Sequence, residues 1–420
     1  MIASVKGTRD LLPPETRVWN RVEAVAREVF ALYGFDEIRT PVLESTELFV
    51  RSVGESTDIV HKEMYTFTDR GGRSVTLRPE NTAGVARAYV EHALAQAGRP
   101  WKLYYIGQQF RYERPQKGRY REFRQIGAEV LGAADAATDA ELLEMLFHFL
   151  RRLRFPRLEV ALNSVGTSEE RPQFIQALRA WFSSKGNLLD DDDRRRLEEN
   201  PLRILDSKNP RLAEWLADPS LPRMVDFLFE ESRRHHDELV SHLNLAGIPY
   251  RLEPRLVRGL DYYTRTVFEV TAGGLGAQDA LVGGGRYDKL IADLGGPRTP
   301  GIGFAIGEDR LVDILPEEFR KEAIDGARRV VVIPLERADV GESMTLAESL
   351  RKDGIPVDLV TAAKGPGHGL KVAEKTGAAL AILLGQKERE EGIVNVKDLA
   401  RRTQESLPRL GLAAALRARL

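Results

Sequence analysis

The first clear pattern of apolar positions is an amphipathic helix near the N-terminus, followed by a strand. Between Glu15 and Tyr33, apolar residues recur every three or four positions, as on one face of an α-helix, at Val18, Val22, Val25, Val29 and Leu32. Pro13-Pro14 and Gly34 flank the run as helix start and stop signals. The strand-like residues Phe35 to Leu43 follow, so we predict a helix and then a strand that contains Pro41.

Two longer regions, Trp101 to Gly132 and Leu252 to Asp309, have the pattern of strands punctuated by glycine and proline. They lack the regular alternation of strands and helices that accompanies a parallel sheet. The pattern favours an antiparallel sheet flanked by helices, an α+β domain. A glycine run, Gly283-Gly284-Gly285, does not open a helix in a βαβ unit and does not match the phosphate loop G-x-x-x-x-G-K-[ST]. Both common nucleotide-binding motifs are therefore excluded for this run.

The pattern changes after a boundary near Pro316 to Ala327. Beyond it, apolar strands alternate with helical segments, the strands lying at 329–334, 357–360 and 378–384. This alternation predicts a small α/β domain with a mainly parallel sheet. We predict two domains, residues 1–325 and 326–420, with a highly charged helical insertion at about 167–222 in the first.

Composition narrows the class of protein. With 420 residues, 42% hydrophobic and 30% charged, the chain has the composition of a soluble globular protein of two or three domains. A formal net charge of −1 gives no global attraction to nucleic acid, so any RNA contact must use local basic patches. The chain has no cysteine, which excludes disulfides and cysteine zinc sites and agrees with a cytoplasmic location. We expect no membrane partner, since neither a signal peptide nor an apolar run of about 18 residues is found. His235 and His242 could share a helical face, but a solvated helix explains them better than a metal site.

Candidate chemistry lies in five separated motifs. Arginine keeps its charge and matches phosphate oxygens with a planar fork, while tyrosine offers both a ring and a hydroxyl to a polar aromatic ligand. The motifs are Thr76-Leu77-Arg78-Pro79-Glu80-Asn81-Thr82, a segment from Gly107 to Glu129 with a basic loop around Pro115 and Gly118, Leu256-Val257-Arg258-Gly259-Leu260-Asp261-Tyr262-Tyr263, Gly283-Gly284-Gly285-Arg286-Tyr287-Asp288, and Gly301 to Arg310.

In this order, the five motifs closely resemble those of histidyl-tRNA synthetases, which are class II aminoacyl-tRNA synthetases, over nearly the whole chain. The Arg-Gly-Leu-Asp-Tyr-Tyr and Gly-Gly-Gly-Arg-Tyr-Asp segments are specific to the histidyl branch, whereas the motifs around Arg111 and Arg310 belong to class II at large.

The resemblance implies a homodimer, because Pro41 matches the proline of the class II dimer-interface motif. It also implies that the C-terminal domain binds the anticodon. The residues there that could face anticodon bases are Lys364, His368, Lys371 and Lys375, although lysines on a helix are usually only solvated.

The resemblance also implies roles for individual residues. Arg111, Arg258 and Arg310 would be catalytic, with Arg258 the histidyl-specific cation aimed at the α-phosphate. The residues expected to bind ATP are Arg111, Arg119, Phe123 and Arg310. The residues expected to bind histidine are Glu80, Asn81, Thr82, Gln125, Glu129, Tyr262, Tyr263, Arg111 and Arg258. The chain departs from the family pattern at Asn81, where glycine is usual, and at Arg124, where histidine is common. Asn81 could narrow or rewire the pocket, and Arg124 adds charge near ATP.

The implied activity is ATP-dependent formation of histidyl-adenylate and transfer of histidine to the 3′ end of its tRNA. We expect Mg²⁺ to accompany ATP, with protein ligands unknown, and we expect no zinc or organic cofactor. Two alternatives stay open. One is a non-catalytic paralogue similar to the regulatory subunit of ATP phosphoribosyltransferase, which lacks the C-terminal domain and has degraded catalytic arginines. The other is an RNA-binding or stress-sensing module without catalysis.

Overall fold

The computed structural model describes residues 2–54, 57, 59–116, 118–185, 189–199, 201–207, 209–260, 262–272, 280–326, 328–362 and 365–420. Ala327, at the expected domain boundary, and two residues of the motifs, Lys117 and Asp261, lie outside the described residues, as does Lys364. The chain forms two compact units, Met1–Arg320 and Lys321–Leu420. Among the described residues, no helix has the length and apolar character needed to cross a membrane.

The first unit is built on an eight-stranded sheet. The unit also contains a separate three-stranded sheet. The strands of the two sheets are β1 (Asp36–Glu37), β2 (Leu43–Ser45), β3 (Tyr65–Thr68), β4 (Ser74–Leu77), β5 (Trp101–Phe110), β6 (Glu122–Leu131), β7 (Leu158–Ser164), β8 (Tyr250–Leu252), β9 (Thr264–Ala272), β10 (Ala280–Arg286) and β11 (Gly301–Gly307). The three-stranded sheet has the order β2-β4-β3. The large sheet has the order β1-β5-β6-β11-β10-β9-β7-β8. Its six central strands pair antiparallel, and the short edge strands β1 and β8 pair parallel. The antiparallel core confirms the predicted α+β fold.

The helices of the first unit cover the sheet and form the insertion. They are α1 (Glu15–Leu32), α2 (Thr46–Val53), α3 (Thr82–Glu91), α4 (Ala136–Arg152), α5 (Arg171–Ser184), α6 (Asp191–Glu199), α7 (Ala213–Leu216), α8 (Glu230–Leu245), α9 (Leu290–Asp293) and α10 (Glu308–Asp313), while α11 (Glu317–Asp325) crosses the boundary between the units. Helix α1 confirms the first predicted helix, and the valines of its apolar face are buried. Leu32 was expected on that face but is 70% exposed, because the helix ends there and Phe30 and Phe35 occupy the core instead.

The two faces of the large sheet have different partners. On one face, Phe30 of α1 lies 5.4 Å from Tyr104, 5.6 Å from Phe149 of α4 and 6.2 Å from Phe304, measured between ring centroids. On the opposite face, strand residues such as Leu103 and Val267 pack with α3, α9 and the tyrosines of the fourth and third motifs. We call this second face the motif face, because these motif residues lie on it.

A buried ion pair connects the helices to the centre of the sheet. Asp139 of α4 accepts hydrogen bonds at Oδ2 from Arg286 Nε (3.0 Å), Thr266 Oγ1 (2.8 Å) and His235 Nε2 of α8 (2.9 Å). Its Oδ1 lies 2.7 Å from Arg286 Nη2, and both side chains are completely buried. His235 is 6% exposed, so the solvated position expected for it is wrong: Asp139 supplies the partner that allows it to be buried.

The helical insertion has a hydrophobic core of its own. Helices α5 and α7 and three short 3₁₀ segments contribute its buried side chains, which include Phe174, Phe182 and Ile204. Val257, next to Arg258 in the third motif, also packs against this core. The insertion therefore contacts a segment of the motif face directly.

The second unit is a five-stranded sheet of order β13-β12-β14-β15-β16. Its elements are β12 (Val330–Pro334), α12 (Val340–Lys352), β13 (Val357–Leu359), α13 (Pro366–Lys375), β14 (Leu380–Leu384), α14 (Gln386–Glu390), β15 (Ile393–Asp398), β16 (Thr403–Pro408) and α15 (Leu412–Arg417). The predicted strands are the parallel trio β13-β12-β14, and β15 and β16 extend it antiparallel. The α/β class is confirmed.

Candidate functional site

Glycines clear a groove across the middle of the motif face. Directly paired residues of neighbouring strands project from the same side of a sheet, and Glu129 is paired with Gly303, which is paired with Gly285. The glycines that share this side are Gly107, Gly127, Gly283, Gly285, Gly301, Gly303 and Gly307. A Cβ on Gly303 would overlap the Glu129 carboxylate, and one on Gly283 would overlap the Arg258 guanidinium. The glycine-rich motif is thus a strand whose missing side chains make room for polar groups.

Glu129 forms the polar end of the groove. Its carboxylate accepts hydrogen bonds from the Thr82 hydroxyl (2.6 Å) and from the Tyr287 hydroxyl, and it is 1% exposed. Burial raises the pKa of Glu129 to about 8 despite these hydrogen bonds. The group is therefore close to the balance between acid and carboxylate at neutral pH, where it can either donate to or accept from a ligand.

The loop before α3 holds a second buried carboxylate beside it. Glu80 accepts from the backbone N–H of Thr82 (2.7 Å) and of Ala83 (2.9 Å), which fixes the first turn of α3. Burial raises the pKa of Glu80, and the positive charge of Arg111 opposes that rise. Gln125 is 8% exposed, and its Oε1 atom is buried without a partner among the described residues. These oxygens supply acceptors for a cationic group.

Aromatic side chains wall the same end of the groove. The rings of Tyr262 and Tyr263 are 4.7 Å apart, and Tyr262 meets Tyr287 edge-on at 5.7 Å. Both Tyr262 and Tyr263 are buried. Burial raises the pKa of Tyr263, and the nearby Arg258 cation opposes the rise. Tyr262, Tyr263 and Glu129 thus lie close together, a set of side chains that suits a planar polar ring. We call this set the Glu129 pocket.

Arg258 lies over the glycine floor next to this pocket. Its Nη1 donates to Glu269 Oε1 at 2.5 Å, and its side chain is 23% exposed. The Nε atom is buried without a partner among the described residues. One face of the guanidinium thus rests on β10 while part of its hydrogen-bonding capacity remains for a ligand.

A second positively charged part of the groove, which we call the Arg111–Phe123 station, lies where β5 ends and β6 begins. Arg111 donates from Nε to the Pro79 carbonyl (2.8 Å), and its Cζ lies 5.4 Å from the centre of the Phe123 ring. Glu113 stands between Arg111 and Arg119, with closest N–O distances of 4.0 Å and 3.7 Å. Phe123 is six residues from Glu129 on the same strand, which corresponds to about 20 Å at the rise of a β-strand. The Glu129 end and the Arg111 end of the groove are therefore well separated along β6.

The loop between β5 and β6 leads to Arg310. A Cβ built on Gly118 in this loop would lie 4.0 Å from the Cβ of Arg310 and 3.6 Å from Asp313 Oδ2, so the loop reaches α10. Arg119, next to Gly118, is half exposed. The structure thus brings the loop of the second motif against the fifth motif.

Two predicted site positions point elsewhere. Asn81 has φ −116°, an ordinary backbone angle, and its Oδ1 accepts from Thr40 Oγ1 (2.7 Å) and Arg78 Nη1 (3.0 Å). Arg124 projects from the opposite side of β6 to Phe123, where it pairs with Glu23 (2.8 Å) and Glu308 (3.3 Å). Strand alternation therefore takes its charge to the helix side of the sheet, on the opposite side to Phe123, the residue predicted to stack on the adenine.

Sequence reasoning assigned no role to two residues of the groove, Tyr287 and Glu269. Tyr287 was quoted within its motif, but its hydrogen bond to Glu129 depends on the pairing of β10, β11 and β6. Glu269, the partner of Arg258, lies in a strand with no motif of its own. The alternation of Glu269 with buried apolar residues in β9 was the available signal, because a carboxylate on a buried strand requires a partner.

The raised pKa of Glu129 predicts an unusual pH dependence of stability. Because its pKa rises from 4.5 to about 8 on folding, Glu129 holds a proton in the folded protein that the unfolded chain releases, so its contribution to stability falls as the pH rises through this window. Glu129→Gln removes the ionisation, and the Thr82 and Tyr287 hydroxyls can satisfy the amide. The free energy of unfolding of the variant relative to wild type should rise between pH 5 and pH 8, by at most about 1.4 kcal/mol per pH unit.

Urea unfolding followed by tryptophan fluorescence measures this difference. All four tryptophans (Trp19, Trp101, Trp181 and Trp215) lie in the first unit, so the signal reports on that unit. Glu159→Gln is the control for a carboxylate that is 45% exposed. An equal difference at both pH values would show that Glu129 ionises normally.

Within the part of the chain that the structure describes, no group of three histidine, aspartate or glutamate side chains is placed to hold a metal ion.

Family models match both units of the chain. A family model described as histidyl-tRNA synthetase matches residues 7–180 and 201–311, and one described as an anticodon binding domain matches residues 329–419. The histidine–tRNA ligase of Koribacter versatilis is 47% identical over 428 aligned residues, which cover 99% of this chain and 96% of that protein.

Solved structures show the same relationship. The structure of apo histidyl-tRNA synthetase from S. aureus has a TM-score of 0.81 and 35% identity, with 99% of each chain covered. A second structure is described as an ATP phosphoribosyltransferase regulatory subunit/histidyl-tRNA synthetase from Bacillus halodurans. The match covers 92% of this chain and 98% of that chain, with a TM-score of 0.66. At 24% identity, it shows a shared fold alone. On the family model and the full-length relatives, the chain belongs to the histidyl-tRNA synthetase family.

Proposed function

We propose that this protein is a cytoplasmic histidine–tRNA ligase. It would activate L-histidine with ATP to form histidyl-adenylate and pyrophosphate, and then transfer histidine to the 3′ end of its tRNA. The observation that carries the proposal is the groove itself, in which the Glu129 pocket, Arg258 and the Arg111–Phe123 station follow one another on one side of the sheet. Family membership and the 47% identical histidine–tRNA ligase support it.

Histidine would be recognised at the Glu129 end. A neutral imidazole has one donor and one acceptor nitrogen, and Glu129 and the Tyr263 hydroxyl supply complementary groups beside the Tyr262 ring. Glu80, Thr82 and Gln125 would hold the α-ammonium, and Arg111 and Arg258 would pair with the carboxylate. Asn81 would act through Arg78 by holding the loop in place. A site built to hydrogen-bond its substrate rejects analogues without those groups by about 10⁴–10⁵.

Adenylate formation requires positioned cations more than an acid or a base. The histidine carboxylate attacks the α-phosphorus, the bond to the bridging oxygen breaks, and pyrophosphate leaves with its electrons, so charge grows on phosphate oxygens. Arg111 and Arg258 would stabilise the α-phosphate, while Arg310 and Arg119 would hold the γ-phosphate. Phe123 would stack on the adenine. Mg²⁺ would arrive with ATP, since it prefers phosphate oxygens and water with at most one or two carboxylates.

Pyrophosphate exchange tests the proposal directly. The purified protein should exchange labelled pyrophosphate into ATP when L-histidine is present, and should not do so with the other amino acids. The same assay separates the enzyme from a histidine-binding regulatory paralogue and from an RNA-binding module, which would give no exchange. Absence of histidine-dependent exchange in folded protein would refute the ligase activity.

We further propose that residues 326–420 form a domain that binds the tRNA anticodon, with residues 1–325 forming the catalytic domain. The support is the matching anticodon-binding family model and a hydrophobic core confined to this unit. His368, Lys371 and Lys375 are exposed along one side of α13, whose Gly369 packs closely on Ile333 of β12. This side would present donors to unstacked bases.

Truncation should separate the two activities. A chain that ends after Asp325 keeps α11 and all proposed histidine and ATP residues, so we expect unchanged pyrophosphate exchange but much slower charging of tRNA. Exchange and charging are measured on the same preparation, with the full chain as reference. Charging at the full rate by the truncated chain would rule out anticodon reading by residues 326–420.

We also propose that the protein is a homodimer through the segment around Pro41. Apolar side chains are exposed there, with Leu43 50% exposed and Phe67 48% exposed on the three-stranded sheet. Thr40, next to Pro41, hydrogen-bonds Arg78 and Asn81 and so connects this surface to the loop that carries Glu80. Light scattering should give twice the chain mass of 47.1 kDa. A fully active monomer would contradict the proposal.

A further inference from the structure

The segment that carries Arg258 is held from two directions. Leu256 and Leu260 pack with the hydrophobic residues of the motif face, whereas Val257 packs against the core of the helical insertion. The backbone on one side of Arg258 is thus attached to the catalytic sheet and also to the insertion. The position of the guanidinium depends on both.

A hydrogen bond from the insertion fixes the other side of Arg258. Arg203 Nη2 donates to the carbonyl oxygen of Gly259 at 2.6 Å. Arg203 lies in the 3₁₀ segment Pro201–Asp206, whose neighbouring residues Ile204 and Leu205 are buried in the insertion core. The insertion core therefore fixes the position of Arg203, and Arg203 in turn holds the carbonyl group of Gly259, the residue that follows Arg258.

The position of the Arg258 guanidinium is tightly constrained. Its guanidinium fills the space above Gly283 and pairs with Glu269, so a shift of the backbone must either break this pair or press the side chain into β10. Electrostatic catalysis requires cations within about 0.5 Å of their productive position. A misplacement of about 1 Å can cost around a hundredfold in rate.

We propose that Arg203 is a positioning residue that allows the helical insertion to set the place of Arg258 during adenylate formation. This inference rests on the proposed ligase activity. Arg203 does not touch the substrates: it acts through the Gly259 carbonyl. A change in the conformation of the insertion would therefore alter the rate of histidine activation without altering the histidine pocket.

The test is a double-mutant cycle between Arg203 and Arg258 in the full chain. Arg203→Ala should lower kcat for pyrophosphate exchange by about ten- to a hundredfold and leave the KM for histidine nearly unchanged. In the Arg258→Ala background, the same substitution should have no further effect, because the group that Arg203 positions is gone. Arg203→Lys, which retains a donor for the carbonyl, should recover part of the loss.

Controls separate positioning from a general loss of structure. Arg211→Ala removes another arginine of the insertion, an exposed one, and should leave exchange unchanged. Val257→Ala weakens the second contact with the insertion and should lower kcat in the same way, which provides an independent variant if Arg203→Ala fails to fold. Additive effects of Arg203→Ala and Arg258→Ala, or a loss confined to KM, would overturn the inference.

A separate measurement distinguishes failure of this inference from failure of the proposed function. If the wild-type protein gave no histidine-dependent exchange, the ligase activity would be refuted. Hydrogen exchange of the backbone amides at 256–260 would still test the contact, because Arg203→Ala should accelerate exchange there and Arg211→Ala should not. Equal protection in both variants would show that Arg203 does not hold the segment.

Discussion

Replacing Arg258 with alanine should lower kcat for adenylate formation by about 10²–10³, far more than it weakens the binding of histidine. The guanidinium lies beside the Glu129 pocket, over a floor cleared by Gly283. In the role proposed for it, it meets charge that appears only as pyrophosphate leaves. An interaction made mainly in the transition state affects kcat and kcat/KM together. Pyrophosphate exchange at varied histidine concentrations gives both parameters, and calorimetry gives the dissociation constant of histidine.

Three related variants sharpen this prediction. Arg255→Ala removes an exposed arginine three residues away, which pairs with Glu253, and should have little effect. Arg258→Lys keeps the charge but loses the planar fork, so its rate should lie between those of alanine and wild type. Gly283→Ala leaves Arg258 intact but places a methyl group where the guanidinium lies, and should therefore reduce kcat as well. Small and equal effects of Arg258→Ala on kcat and KM would mean that Arg258 only supports the fold.

The sequence predicted features that depend on local pattern. The valines of α1 and the alternating residues of β5 and β6 form patterns that can be recognised within a few neighbouring positions of the sequence. The order of the motifs indicated the family. Arg124 shows what a motif alone does not specify. Its position in the motif suggested a place near ATP, whereas alternation along β6 directs its side chain away from Phe123, toward Glu23 and Glu308.

Features that depend on long-range pairing could not be read from the chain. His235 looked like part of a solvated helix because its partner, Asp139, is 96 positions away. The contact between Tyr287 and Glu129 spans 158 positions and exists only because β10, β11 and β6 are neighbours. Register across three strands, rather than composition, decides which polar groups share the groove.

The buried ion pair behind the groove supports a second prediction of large effect, on stability. Arg286 is fully buried against Asp139, and its Nη2 also donates to the carbonyl oxygens of Ala133 (3.1 Å) and Asp135 (3.2 Å). The next residue, Tyr287, donates a hydrogen bond to Glu129 in the proposed histidine pocket. The pair thus ties α4 to β10 and sets the strand from which the pocket is built.

Arg286→Met should lower the free energy of unfolding of the first unit by about 3–5 kcal/mol, because it leaves the Asp139 carboxylate buried without its cation. Urea unfolding followed by tryptophan fluorescence reads this unit alone, since all four tryptophans belong to it. Arg251→Ala, which breaks pairs of a half-exposed arginine with Glu159 and Glu253, is the control and should cost less than about 1 kcal/mol.

The double variant distinguishes a lost charge partner from a simple packing defect. Combining Asp139→Asn with Arg286→Met removes the negative charge that Arg286→Met alone would leave uncompensated. The new asparagine amide can still hydrogen-bond His235 and Thr266. The double variant should therefore be more stable than the sum of the two single losses predicts, with a coupling of about 0.5–3 kcal/mol between the positions. Strict additivity, or a loss below about 1 kcal/mol for Arg286→Met, would show that the charge of Asp139 is compensated by His235 and solvent rather than by Arg286.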